Sequence, residues 1–390
     1  MYNIPYGRQF IDDDDISEVC RVLRSPFLTT GPAIGFFEEE LCRRTGAKYA
    51  LAVSSGTAAL HLASMTLINK GDRVITTPNS FVATSNSILY AGGIPFFSDI
   101  GEDGNIDLEK VIDILRKDKT IKALYVVNFS GNPVDYEKLK YIRENFDIKI
   151  LEDSAHALGA ISGNFRVGSC KYSDCSIFSF HPVKHITTGE GGAITTNDEK
   201  VYEKLIRLRS HGILREDFQN TDMAYDKDGN LNPWYYEMTD LGFNYRITDF
   251  QAALGISQLK KLDIFIKRRK EIAKVYDNFF ERSGYISPLY KYNENSSYHL
   301  YVVKIDFKKL KISKGKFFHL MRERGIFLQL HYIPINLHPY YRGLGYGEEE
   351  LPLMYDYYEK AVSLPIFYDL TDEMQNYVCE SMRRILEDLQ

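Results

Sequence analysis

The sequence predicts an α/β protein in two units. The first, residues 1–248, is a large domain with a mostly parallel central sheet covered by helices; the second, residues 249–390, is a linking helix followed by a smaller α+β domain. Three observations predict this. Between about residues 45 and 200, short β-rich runs alternate with helical runs, as βαβ units do when a sheet is buried on both faces. Residues 247–281 carry apolar side chains at three- and four-residue intervals over more than eight turns, which specifies one long amphipathic helix joining the units. A chain of 390 residues is also too long for one small core, at about 100–200 residues per domain.

Taken in order, the acidic run Asp12–Asp15 opens an amphipathic stretch, where negative charge suits a helix N-terminus. The expected strands follow as "YALAVS", "RVITT", "IPFFSDI", "IKALYVVNF", "IKILED", "SIFSF" and "GGAITTN". Between them lie the helical runs "GTAALHLASMTL", "FVATSNSILYAG", "DLEKVIDILRK" and "YEKLKYIREN". In such a sheet the active site is expected beyond the carboxyl ends of the strands. Residues 213–241 lose the rhythm and read as a long loop, the kind that is often functional, holding the only tryptophan, Trp234. Its "DKDGN" fails calcium-loop spacing, because Gly229 directly follows Asp228 and Ala224 takes the first ligand position, so a plain turn is expected. After the long helix, "HLYVVKIDF", "GKFFHLMRERG", "IFLQLHYIPI" and a final helical run at 372–389 make up the α+β part.

Composition narrows the function classes. Charged residues make up 26% of the chain with both signs interspersed and a net charge of −5, which leaves no basic stripe for nucleic acid and no polybasic membrane anchor. No apolar run approaches the roughly 20 residues that cross a bilayer, and the first residues lack the pattern of a signal peptide. A cytoplasmic protein acting on small molecules is expected. The five cysteines are scattered and odd in number, as free thiols are in a reducing compartment; Cys170 and Cys175 have no second Cys/His pair to complete a zinc site, and no metal is expected.

Four local features carry the chemistry. In "SSGTAALHL", residues 54–62, a strand gives way to a helix, exposing unpaired N–H groups and hydroxyls at the positive end of the helix dipole. That is an anion site or, equally, an ordinary Ser/Thr cap. It is not a P-loop, which needs Gly-Lys-Ser/Thr. Asp153 ends an apolar strand, where it caps the next segment or meets a cofactor. Phe81 starts a helix after a strand and is either core or a ring that stacks on a flat ligand. Lys184 lies in "FSFHPVKHITTGEGGAITT" just before a glycine cluster, either as a surface charge beside a turn or as a nucleophile. Together a phosphate cradle, a carboxylate for a ring nitrogen, an aromatic face and a lysine describe a pocket for pyridoxal 5'-phosphate, which cycles with pyridoxamine 5'-phosphate.

The stretches "SSGTAALHL", "EDSAHALGA", "FSFHPVKHITTGEGGAITTND", "RLRSHGI" and "LGFNYRITDFQAALGISQL" together resemble the DegT/DnrJ/EryC1/StrS family of sugar-nucleotide aminotransferases, in order and over nearly the whole chain. The resemblance implies the aminotransferase fold of type I. It implies that Lys184 carries the cofactor, Asp153 pairs with its ring nitrogen, His156 lies near the ring hydroxyl and Phe81 stacks on the ring. Gly56, Thr57, Ala58 and Ser179 would hold the phosphate, joined by Asn244 from a neighbouring subunit in a homodimer with shared active sites. Tyr6, Thr29, Thr30, Arg246, Tyr301 and Tyr332 become candidates for binding the nucleotide sugar or, equally, aromatic and polar packing residues. The implied substrates are L-glutamate and a UDP-linked 4-keto-6-deoxy-N-acetylhexosamine. A GDP- or dTDP-linked keto sugar is the nearest alternative, and a non-catalytic sugar-nucleotide-binding regulator a more distant one. Dehydratases of this family replace the lysine with histidine, which Lys184 argues against; His185, next to it, has no evident role.

Overall fold

The computed structural model describes residues 3–387; the ends of the two expected units, and the last positions of the final helical run, lie outside the described residues. The expected strands form one seven-stranded sheet: β1 (Tyr49–Val53), β2 (Arg73–Thr76), β3 (Ile94–Phe97), β4 (Ile121–Val127), β5 (Lys149–Asp153), β6 (Cys175–Ser179) and β7 (Gly192–Thr196). Their order is β1-β7-β6-β5-β4-β2-β3, with β7 antiparallel to both its neighbours and the remaining pairs parallel. Strand periodicity divides the side chains between two cores. Leu51, Val53, Tyr125, Leu151 and Ile177 face one side with helices α3 (Gly56–Leu67) and α7 (Glu199–Arg209), while Ala50, Ala52, Phe178 and Ala193 face α2 (Pro32–Thr45) and the long helix α8 (Asp249–Phe280) on the other.

Caps set the helix starts. Helix α1 (Asp13–Leu23) opens with a capping box between Asp12 and Asp15, so the acidic run both caps the helix and complements its dipole. Helices α4 (Ala83–Tyr90), α5 (Leu108–Lys117) and α6 (Tyr136–Asn145) follow β2, β3 and β4, with Asp107 and Asp135 capping the latter two. A Thr248–Gln251 capping box starts α8. Asp249 then reaches across to accept hydrogen bonds from Gly31 N–H (2.7 Å) and Ala33 N–H (3.0 Å), capping α2 with a side chain from another helix.

Helix α8 belongs to two cores. Ala252, Leu259, Leu262 and Phe265 pack in the large domain, whereas Ile272, Tyr276 and Phe280 pack in the second core. The latter is built on β8 (Ile286–Pro288), β9 (Tyr301–Ile305) and β10 (Ala361–Leu364), an antiparallel sheet in the order β8-β9-β10, with helices α9 (Lys314–Glu323) and α10 (Asp372–Glu387). Only Ile326–Phe327 of "IFLQLHYIPI" is a strand, and it pairs in parallel with Ile4–Pro5. Ile4 thereby joins the second core from the far end of the chain.

Residues 213–241 are less irregular than expected. Ile213–Leu214 pairs with Glu237–Met238, and a four-residue helix, Thr221–Ala224, lies between them. "DKDGN" is a turn in which the Asp226 carboxylate accepts from the N–H groups of Asp228 (2.9 Å) and Asn230 (2.8 Å). This segment presents Met223, Trp234, Met238 and Leu241 to solvent, the tryptophan with 75% of its surface exposed. The five cysteines are free, and no helix among the described residues is long and apolar enough to cross a membrane.

Candidate active site

A cavity of about 590 Å³ opens at the carboxyl ends of β1, β4, β5 and β6. Helix α3 starts on its wall: Ser55 is the N-cap, its Oγ accepting from Ala58 N–H at 3.0 Å, so the N–H groups of Gly56 and Thr57 belong to the first turn, ahead of the intrahelical ladder. Ser179 ends β6 opposite Gly192 of β7, directly against Gly56. A Cβ on Gly56 would stand 2.9 Å from Ser179 Cβ, and one on Gly192 would stand 2.5 Å from the Ser55 carbonyl oxygen. Both glycines are therefore required for the helix terminus, the serine hydroxyl and the strand to converge. Ser55, Gly56, Thr57 and Ser179 form a concave donor set at the positive end of a helix, which fits a phosphate.

Asp153 reaches the cavity from the end of β5, between Val127 of β4 and Ile177 of β6. Both carboxylate oxygens are fixed: Thr84 Oγ1 donates to one at 2.6 Å and Ala155 N–H to the other at 3.1 Å. Burial pushes its pKa above the ordinary value, opposed by those two donors and the Lys184 charge. A buried carboxylate held this way gains from a cationic ring nitrogen set against it, which is the second feature that fits pyridoxal phosphate. Phe81, three residues before Thr84, lines the cavity with 58% of its surface exposed and its ring 6.3 Å from that of Tyr332.

Lys184 lies in the turn between β6 and β7. Burial lowers its pKa from 10.5 to about 8, offset in part by attraction to Asp153 and assisted by repulsion from Arg269. The neutral fraction at pH 7 rises from about one in three thousand to about one in ten. His156 is buried and held neutral by desolvation and by the Lys184 charge. Its Nδ1 accepts from Ser130 N–H at 3.4 Å, which leaves Nε2 to donate to the Tyr332 hydroxyl at 3.0 Å. His185 points away from the cavity: its Nε2 donates to the Ser297 carbonyl at 3.0 Å and ties the lysine turn to the second domain.

The structure thus brings Gly56, Thr57, Phe81, Asp153, His156, Ser179, Lys184, Tyr6 and Tyr332 to one cavity. Ala58 is buried in the core of α3, and its N–H is taken by Ser55. Thr29 and Thr30 are exposed at the start of α2, Arg246 bridges Val53 at the end of β1, and exposed Asn244 bridges Ser210; none of the four lines the cavity. Tyr301 corrects the sequence reading. It is 3% exposed in the core of the second domain, its ring 4.9 Å from Tyr276 and its hydroxyl donating to Asp277, so it is a packing residue. Four contributors went unnoticed in the sequence: Thr84, His299, His331 and Gln329. Thr84 lies one helical turn from Phe81, which was a usable signal; Gln329 and His331 line the cavity from the far part of the chain, and His299 lies behind it with Nε2 3.4 Å from Lys184 Nζ.

Comparison with known proteins agrees with this geometry. The model of the DegT/DnrJ/EryC1/StrS aminotransferase family matches residues 9–383. A Campylobacter jejuni protein named UDP-4-amino-4,6-dideoxy-N-acetyl-beta-L-altrosamine transaminase is 38% identical over 386 residues, 98% of each chain. The solved structure of Helicobacter pylori PseC, an aminotransferase of pseudaminic acid biosynthesis, superposes with a TM-score of 0.90 at 34% identity, covering 99% of this chain and 100% of that one. Spr1654 of Streptococcus pneumoniae, described as a sugar aminotransferase and solved in its PMP form, gives 0.86 at 29% identity with complete coverage of both chains.

Proposed function

Because the chain belongs to the DegT/DnrJ/EryC1/StrS aminotransferase family, we propose that it moves the amino group of L-glutamate to C4 of a UDP-linked 4-keto-6-deoxy-N-acetylhexosamine, giving UDP-4-amino-4,6-dideoxy-N-acetyl-beta-L-altrosamine in pseudaminic acid biosynthesis. It is a pyridoxal-phosphate-dependent aminotransferase of fold type I. The observation that carries the reading is the meeting of Lys184, Asp153 and the Gly56–Ser179 cradle in one cavity at the strand ends.

When bound, the cofactor supplies an aldehyde carbon for amine exchange and an electron-poor ring that stabilises charge developing at the donor Cα. Lys184 Nζ would hold that aldehyde carbon, and as a free amine it would take the proton from the donor Cα and give one at sugar C4, setting the configuration there. Its lowered pKa suits this double duty, since the amine must both take and give a proton near neutrality. Asp153, ionised, holds the proton on the ring nitrogen; Thr84 and Ala155 keep its oxygens from rotating. Phe81 would cover one ring face, and His156 would lie beside the ring hydroxyl. Gly56, Thr57, Ser179 and the α3 dipole hold the phosphate, with Ala58 shaping the first turn.

The active form is a homodimer in which Asn244 of each subunit serves the other's phosphate. This rests on the exposure of Asn244 outside its own cavity and on the exposed apolar segment that precedes it. We place the nucleotide sugar against Tyr6 and Tyr332, with Thr29, Thr30 and Arg246 acting across the dimer. Residues 1–248 bind the cofactor, residues 249–390 close over it, and the enzyme works in the cytoplasm. Mixing the purified protein with pyridoxal phosphate should give a visible absorption band that L-glutamate bleaches, while Lys184→Ala should abolish both the band and turnover. Full turnover by that variant would refute the assignment.

A further inference from the structure

Residues 296–299 are buried and fastened from both domains. Ser297 N–H donates to the Gly131 carbonyl at 3.0 Å, and Leu300 N–H, just past the segment, donates to the Ser130 carbonyl at 3.1 Å. The buried Arg269 guanidinium donates to the carbonyls of Tyr298 (3.2 Å) and His299 (3.1 Å). His185 adds its bond to the Ser297 carbonyl. Within this harness Tyr298 takes a φ of 48°, a left-handed conformation that a bulky side chain keeps only when its surroundings impose it.

What the harness presents is the imidazole of His299. Its Nε2 lies 3.4 Å from Lys184 Nζ, and its buried Nδ1 has no hydrogen-bond partner among the described residues. An unpaired buried ring nitrogen next to a strained residue works against stability, and such departures concentrate where a side chain is held for chemistry. Packing alone would be served as well by an apolar side chain.

We propose that His299 is a positioning residue for Lys184: its Nε2 lone pair accepts a hydrogen bond from the ε-amine and holds it against the cavity wall whenever the amine is not joined to the cofactor. The inference rests on the reading of Lys184 as the cofactor lysine. The acceptor role puts the imidazole proton on Nδ1, which is the orphaned atom. It requires a neutral imidazole, which burial and the Lys184 charge both enforce. The other charged or titratable groups facing the pair are Asp153, Arg269, His156, His185 and His331; the histidines are likewise held neutral by burial. His185 gains a role here, since it locks the segment that carries His299 to the turn that carries Lys184.

The test uses the cofactor-free protein. The pH dependence of Lys184 acetylation by acetic anhydride, read by peptide mass spectrometry, reports the ε-amine pKa without turnover. His299→Leu removes the acceptor that favours the ammonium, so the pKa should fall by about one unit and acetylation at pH 7 should rise about fivefold. His299→Gln keeps an acceptor and should stay within about twofold of the parent. Leu and Gln variants that label alike, or a Leu variant no faster than the parent, would overturn the proposal. If Lys184→Ala kept the visible cofactor band, the function would fall instead, whichever way the labelling came out.

Discussion

Asp153 shows how one residue serves function at the expense of the empty protein. Its folded-state pKa is raised by burial, so its contribution to stability is fully present below about pH 4 and is lost as pH rises through the folded value. At pH 7 the group therefore destabilises the cofactor-free chain. Asp153→Asn should raise the cofactor-free melting temperature at pH 7, with the gain shrinking on acidification, while turnover falls by about a hundredfold or more. Calorimetry across pH and a 2-oxoglutarate assay check the two halves. That Lys184, Asp153 and Phe81 share one cavity was legible in the sequence because each lies at or just beyond the end of an apolar run read as a strand, and strand ends are where such sheets bind ligands. Tyr301 misled because a tyrosine hydroxyl satisfied by a half-buried carboxylate looks, in sequence, the same as one facing a substrate.

The element that matters most to the site is the short antiparallel strand β7. Running against its neighbours, it brings Gly192 beneath the N-terminus of α3, with no room for a side chain. Gly192→Ala would put a methyl 2.5 Å from the Ser55 carbonyl oxygen and 2.7 Å from Gly56 N, both backbone atoms that cannot swing aside. The expected cost is about 1–3 kcal/mol of stability, with at least about tenfold weaker cofactor retention, measured by melting and by equilibrium dialysis. Gly35→Ala, on an exposed turn of α2 with nothing within 4 Å, is the control and should leave retention unchanged. The strands, the helices α3 and α6, and the long α8 could be read from periodicity and caps. The direction of β7 could not, because alternation of apolar residues is the same in both directions. The pairing of Ile326–Phe327 with Ile4–Pro5 was equally hidden, since each is too short to carry a pattern.

Across the whole molecule, contacts from both domains meet at the cavity. Lys184 with His299 and His156 with Tyr332 cross between them there, and His185 with Ser297 crosses just outside it. The buried histidines His156, His185, His299 and His331 have depressed pKa values, that of His331 falling to about 3. Each contributes stability above its unfolded value of about 6.5 that is lost as pH falls toward the folded one, because only the unfolded chain takes up the proton. Buried Glu152 and Asp153, with raised pKa values, act in the opposite sense at lower pH, so a difference between variants reads the histidine effect cleanly. His185→Gln keeps a donor for Ser297 and removes one titrating group. Its stability should fall less steeply below pH 6.5, by about 1.4 kcal/mol per pH unit, in denaturant titrations at several pH values. This meeting of two domains was the least legible feature: His299 lies 115 residues beyond Lys184 and joins it only through the fold.

One reaction tests the proposed function as a whole. Incubating the protein with pyridoxal phosphate, L-glutamate and the UDP-linked 4-keto-6-deoxy-N-acetylhexosamine, and following the sugar by NMR, should show the C4 ketone replaced by an amine of a single configuration, with one 2-oxoglutarate formed per sugar aminated. A ketone that persists, with no 2-oxoglutarate released, would contradict it.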